Sequence, residues 1–393
     1  MNKMRVVIYG AGNIGRGFLA RLIHESGFEI TFIDITASLV EALNIEKEYP
    51  VRLLFPAGQK DIIINNFIAI NGGDTKAVIK AIADAALVFT AVGTRELQAI
   101  APLIAKGIVK NLSREAKPLD IIICENLIDA DQVLEKLIEK ELSCCKINPK
   151  AMELFRQKTG LIKATIACMV PIQTDIMKHG NPLRICTEDY SILPVEKKAF
   201  KGEIPNIKGM EAHDNFDFYI ERKFFIHNMG HSTCAYLGLY YGHKFIFESI
   251  KDENILLICE NAMLESAVML AQKYKVPIKD IYLHVQDLIK RFSNKALMDT
   301  CQRVGADTTR KLGPHDRFMA AIRCCEEINV KPFYITKGAA AALYHHIREN
   351  KLAQTENAAG KILEEISGLG KNSESHKLII SEYSVLLKKT ING

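Results

Sequence analysis

Two groups of residues have the types and spacing that chemistry requires. The first is Gly10-Ala11-Gly12-Asn13-Ile14-Gly15, between an apolar run and a helical pattern. In such a run the first glycine permits a tight turn, and the second lets the backbone approach a pyrophosphate. The third allows close packing of helix on strand, while the helix N-terminus offers free N–H groups to the phosphates. The flanking strand and helix make residues 4–34 a βαβ unit of the dinucleotide-binding kind. Asp34 follows Gly15 by 19 residues, at the end of the second strand. A carboxylate there accepts from ribose hydroxyls and repels a 2′-phosphate, so the expected cofactor is NAD. Thr90-Ala91-Val92-Gly93 closes a later strand, and Thr90 and Val92 are expected to line the cofactor from the same sheet edge. A plain strand-end turn has the same composition.

The second group lies in Glu221–His231. At about 100° per residue, Lys223, Asn228 and His231 fall within a helical sector of roughly 140°, along ~12 Å of axis. A lysine becomes a general base when desolvation or neighbouring positive charge lowers its pKa. Asn228 can donate to a developing alkoxide, and His231 can orient a substrate. The same spacing also describes a solvated helix face, which on spacing alone is the more ordinary reading. His227 shares the sector and reads as a surface bystander or a pocket residue, the bystander being the preferred reading.

Strands and helices alternate through the first half: strands at Arg5–Tyr9, Glu29–Asp34, Asp61–Ile70, Leu87–Val92 and Leu119–Cys124, helices at Arg16–Ser26, Ser38–Ile45, Lys76–Ala85 and Arg95–Ala105. That order predicts an α/β fold, an N-terminal Rossmann-type doubly wound sheet buried on both faces. Near residue 195 the texture changes. Pro194, Gly202, Pro205 and Gly209 form a joint, and long helical periodicities follow from Asp217 to Ile366. The expected organisation is an NAD-binding domain over 1–195 and a mainly α-helical substrate domain over 196–393, with a ligand cleft between them.

The composition sets limits. With 393 residues, 48% hydrophobic, and a net charge of +5 from 51 basic and 46 acidic residues, the excess is too small to argue for nucleic acid. None of the ten cysteines forms a C-x-x-C pair, which argues against zinc and for reduced, buried thiols of a cytoplasmic protein. Val6–Tyr9 is shorter than the roughly 7–15 residues of a secretory h-region, so no leader is expected. No run reaches the ~18 consecutive apolar residues of a membrane span.

Five motifs occur in order: Gly10–Gly17 as G-A-G-N-I-G-R-G, Thr90–Gly93, Cys124-Glu125-Asn126, Pro205-Asn206-Ile207-x-Gly209-Met210, and Lys223-x4-Asn228-x2-His231. Together they resemble the polyol-specific long-chain dehydrogenases, the mannitol dehydrogenase family, and its sugar-phosphate members in particular, over nearly the whole chain. The resemblance implies a metal-independent oxidoreductase interconverting D-mannitol 1-phosphate and D-fructose 6-phosphate with NAD. It implies Lys223 as general acid/base, Asn228 and Asn126 as the oxyanion-stabilising pair, and His231 as the holder of a substrate hydroxyl. The basic run Arg303–Leu312 resembles a corresponding segment in sugar-phosphate members, which makes Arg310 and Lys311 candidates for the substrate phosphate. Relatives often carry V-D-R-[IV]-x-P where this chain has Ile166-Ala167-Cys168-Met169-Val170-Pro171. The missing Asp and Arg keep open a hexuronate reductase or an unphosphorylated polyol dehydrogenase of the same superfamily, and, because fold alone does not fix function, an inactive NAD-binding homologue is a third reading.

Overall fold

The computed structural model describes residues 5–114, 117–144 and 149–391. Met4 of the expected βαβ unit and Cys145 lie outside them. The chain forms two compact units, residues 1–216 and 217–393.

In the first unit the strands are β1 (Arg5–Tyr9), β2 (Glu29–Asp34), β3 (Tyr49–Phe55), β4 (Gly58–Ile64), β5 (Phe67–Asn71), β6 (Leu87–Thr90), β7 (Leu119–Ile123), β8 (Thr159–Lys163), β9 (Ile185–Glu188), β10 (Leu193–Glu196) and β11 (Met210–His213). Six of them make an all-parallel sheet in the order β5-β2-β1-β6-β7-β8. Successive β1 side chains serve opposite faces: Val6 and Ile8 join one core, Val7 and Tyr9 the other. A strand buried on both sides needs the continuous apolar run that the sequence has there. The strand order reverses between β1 and β6, and ligands of doubly wound sheets bind at the carboxyl ends beside such a switch point. Gly10 and Ala91 follow those two strands.

The expected single strand Asp61–Ile70 is two strands in different sheets. Asn66, in the left-handed conformation at φ +59°, breaks the chain between β4 and β5. β4 pairs antiparallel with β3, β3 pairs parallel with β9, and β5 is the edge strand of the main sheet. The division between units also lies later than the change of texture near 195. β10 pairs in parallel with β11, which carries residues 193–213 within the first unit.

The second unit is helical. Phe216–Arg222 runs into a π-helical stretch, Lys223–Asn228, and on into Met229–Tyr241. Long helices follow at Glu253–Tyr274, Ile278–Phe292, Phe333–Glu349 and Glu374–Ile391. Met229–Tyr241 is buried on nearly every side, the pattern of a central core helix. Small residues let neighbours approach: a Cβ on Gly230 would meet Met263 Sδ at 2.5 Å, and one on Gly338 would meet Thr233 Oγ1 at 2.4 Å. Among the described residues Glu253–Tyr274 is the one helix long and apolar enough to cross a membrane by composition. Its Ile255, Cys259, Met263 and Leu270 are buried within the unit. Its Glu265 accepts hydrogen bonds from the backbone N–H groups of Tyr334 and Ile335. That caps the Phe333–Glu349 helix, and burial lifts the Glu265 carboxyl to about 7.

Candidate active site

The glycine run begins where β1 ends. Gly10 has φ +104°, and a Cβ there would lie 2.4 Å from Ala91 O; a Cβ on Gly15 would lie 1.9 Å from Gly10 O. Both positions therefore exclude a side chain. Around Gly12 no atom lies within 4 Å of an added Cβ, which leaves the approach to its backbone clear for a phosphate. The chain then enters a π turn at Gly15–Leu19 before the Ala20–Glu25 helix, where the sequence predicted an uninterrupted helix from Arg16.

Asp34 is half-buried, with both carboxylate oxygens in use: Oδ2 accepts from Ala11 N at 2.8 Å and Oδ1 from Thr36 N at 2.9 Å. It therefore fixes the glycine loop as well as facing the cavity. That cavity, about 320 Å³, is lined by Gly10, Gly12, Asp34, Ile35, Ala91, Val92, Glu96 and Ile100 among others. An apolar slot with a carboxylate at its edge, beside an unobstructed glycine, suits the adenosine and pyrophosphate of a dinucleotide. The sequence reading passed over Arg16, which is 7% exposed. Its Nε donates to Ala11 O at 2.6 Å and its Nη1 to Leu183 O at 2.7 Å. Burial lowers its pKa, and it braces the loop from behind. Its place directly after Gly15, in G-N-I-G-R-G, is the signal the sequence carries for it.

Thr90 is fully buried at the end of β6. Its hydroxyl donates to Glu125 Oε2 at 2.6 Å, and Val92 N donates to Glu125 Oε1 at 3.0 Å. Asn126, the next residue, is exposed. The segment lacking the Asp–Arg pair is buried, with Ala167 at 9% and Cys168 at 8% exposure. It is bound to β9: Cys168 Sγ lies 3.1 Å from Thr187 Oγ1, and Met169 N donates to Glu188 Oε1 at 2.5 Å.

In the second unit the π turn alters the expected geometry. Met229 N–H reaches back to Phe224 O, a five-residue step. In an α-helix Asn228 would be rotated about 140° from Lys223; the wider i→i+5 turn brings the two toward one face. Single π turns recur at functional sites. Lys223 and Asn228 are its two ends, and both are half-buried. Asn228 Nδ2 is buried with no hydrogen-bond partner, a donor oriented for something the protein itself does not supply. Arg317, missed from sequence, is buried. Its Nη1 donates to Asn228 O at 3.3 Å and Ser232 Oγ at 3.1 Å, and its Nε to Asp316 Oδ1 at 2.7 Å. It holds the end of the π turn.

His231 stacks on Phe292, with ring centroids 4.8 Å apart and planes 14° apart. Its Nε2 lies 3.3 Å from Asp299 Oδ2. Burial lowers its pKa, against the pull of Asp299. Asp299 is bound by Arg303 through two bonds of 2.6 Å. Burial pushes its carboxyl up, but His231 and Arg303 hold it at about 2. His227 is no surface bystander: it is 5% exposed, and burial drives its pKa well down, assisted by Arg291.

The two phosphate candidates are already engaged. Arg310 Nε donates to Asp307 Oδ2 at 2.6 Å and Nη1 to Asp316 Oδ2 at 2.8 Å. Lys311 is 6% exposed and donates to Val304 O. Burial, then Arg317 and Arg310, push its pKa down to about 7. The nine described cysteines are free thiols, with Cys144 exposed and Cys324 partly so.

Two family models cover most of the chain: the mannitol dehydrogenase Rossmann domain matches residues 4–209, and the mannitol dehydrogenase C-terminal domain residues 215–383. The mannitol-1-phosphate 5-dehydrogenase of Thermoanaerobacter pseudethanolicus is 36% identical over 389 residues, spanning 98% of each chain. That of Buchnera aphidicola subsp. Schizaphis graminum is 34% identical over 392 residues, spanning 98% of this chain and 99% of the relative. Among solved structures, a substrate-free D-sorbitol dehydrogenase superposes with a TM-score of 0.81 at 16% identity, covering 99% of this chain and 94% of its own. Pseudomonas fluorescens mannitol 2-dehydrogenase, in a ternary complex with NAD and D-mannitol, superposes with 0.75 at 15% identity and the same coverage. At those identities the superpositions speak for the fold.

Proposed function

Because the chain belongs to the mannitol dehydrogenase family, we propose that it is an NAD-dependent oxidoreductase interconverting D-mannitol 1-phosphate and D-fructose 6-phosphate. The observation that carries this reading is similarity at 36% identity along 98% of both chains to an enzyme of that name. When bound, NADH supplies the hydride that reduces the ketone carbon. Lys223 delivers the proton to the oxygen that forms there, and in the oxidative direction it removes it. The unpartnered Nδ2 of Asn228 donates to that oxygen as its charge grows, and Asn126 is proposed as a second donor. His231, stacked on Phe292 and held by Asp299, binds a substrate hydroxyl in its neutral form. The free thiols fit a cytoplasmic enzyme.

The test is consumption of NADH at neutral pH across a panel of fructose 6-phosphate, fructose and a hexuronate. Turnover of fructose 6-phosphate well above the others is expected. Turnover of fructose or the uronate alone would replace the substrate assignment. The carboxylates around Arg310 and the uncharged Ala167-Cys168 are the observations that favour that outcome. Arg310→Ala is expected to lose activity selectively on the phosphate ester, and equal losses on both ketoses would give Arg310 a structural role.

NAD over NADP rests on Asp34. Asp34→Asn keeps an oxygen for the Ala11 N–H and removes the charge facing a 2′-phosphate. The preference for NADH over NADPH should fall by about tenfold, equivalent to ~1.4 kcal/mol, measured as the ratio of the two dissociation constants. An unchanged ratio would take that role from Asp34.

A further inference from the structure

Glu125 has no part in the chemistry above, yet it is 4% exposed and carries a carboxylate between two strands. Its oxygens accept from the Thr90 hydroxyl at 2.6 Å and the Val92 N–H at 3.0 Å, and the Gly93 backbone also bonds to it. The acceptor sits two residues beyond β7, while all three donors belong to the end of β6 and its following loop. Ala91 and Val92 of that loop line the cavity beside Gly10 and Asp34. Gly93 leaves the loop at φ +96°, a conformation that needs outside support to stay unique. Asn126 follows Glu125 directly.

We propose that Glu125 is a positioning residue, whose buried carboxylate locks the 91–93 loop to the segment bearing Asn126 and so sets the shape of the cofactor wall. The proposal rests on reading that cavity as the cofactor site. Neither oxygen of Glu125 needs to reach substrate or cofactor. A carboxylate suits the task because it accepts from several directed N–H and O–H donors at once. A glutamine serves nearly as well: its carbonyl accepts from Val92 N, and its amide donates to the Thr90 oxygen.

The experiment is a titration of NADH by its own fluorescence, which the absence of tryptophan from this chain leaves undisturbed. Glu125→Leu should raise the NADH dissociation constant by about tenfold, and Glu125→Gln by no more than about threefold. Thr90→Val removes one donor from the same lock and should raise it by about three- to tenfold even if Glu125→Leu does not fold. Glu125→Leu combined with Thr90→Val should bind no worse than Glu125→Leu alone, because partners in one network are not additive. A purely structural role would lower Tm and leave the dissociation constant alone; that result in Thr90→Val and Glu125→Leu overturns the proposal. A wild-type protein that binds no NADH would overturn the cofactor reading itself, a separate and distinguishable failure.

Discussion

Lys223→Ala is expected to lower the rate of fructose 6-phosphate reduction by about 10²–10⁴-fold, the usual contribution of a positioned acid or base. NADH binding should stay within about twofold of wild type, because every residue lining the proposed cofactor cavity belongs to other elements. Lys223→Arg should be nearly as inactive: a guanidinium keeps the charge but does not exchange its proton at neutral pH. The pair separates proton transfer from electrostatic attraction, since a lysine that only attracts the substrate would be replaced in part by arginine. Turnover close to wild type in Lys223→Ala would remove the residue from the mechanism.

The second large effect lies in the glycine loop, where two neighbouring substitutions should fail for different reasons. In Gly15→Ala the new methyl would sit 1.9 Å from the Gly10 carbonyl oxygen. That oxygen is backbone and cannot swing away, so the loop or the helix must shift, at a cost of about 1–3 kcal/mol. Both Tm and NADH affinity should drop, the affinity by tenfold or more. In Gly12→Ala the methyl meets nothing within 4 Å. Tm should hold while NADH affinity falls, because the space it enters is the proposed approach path of the pyrophosphate. Equal Tm losses in the two variants would mean that Gly12 serves packing rather than ligand approach.

Local sequence patterns marked the parts of this molecule whose cause is local. The apolar run Val6–Tyr9, the glycines after it and Asp34 are legible because a strand buried on both faces, a tight turn and a strand-end acid each have a compositional signature. Asp34's bond to the Ala11 N–H was not legible, since it joins residues 23 positions apart. The split between β4 and β5 was hidden because two residues, Asn65-Asn66, are the one interruption in a run otherwise apolar from Ile62 to Ile70. At Lys223–Asn228 a helix was legible but its phase was not, as no pattern distinguishes a π turn from the α-helix around it. Arg317, Asp299 and Arg16 were invisible as site residues for a common reason. Each has a partner in a distant segment, Asn228 and Ser232 for Arg317, His231 for Asp299 and Leu183 for Arg16, and no local pattern announces such a pairing.

The π turn has one more consequence. Met229–Tyr241 is packed on nearly all sides by neighbouring helices, and the π turn that leads into it carries Lys223 and Asn228. Its aim is set by counting: one surplus residue per turn indexes Lys223 and Asn228 into alignment, like a tooth added to a gear. The relative pointing of the proposed proton donor and hydrogen-bond donor is thus written into the backbone of the π turn.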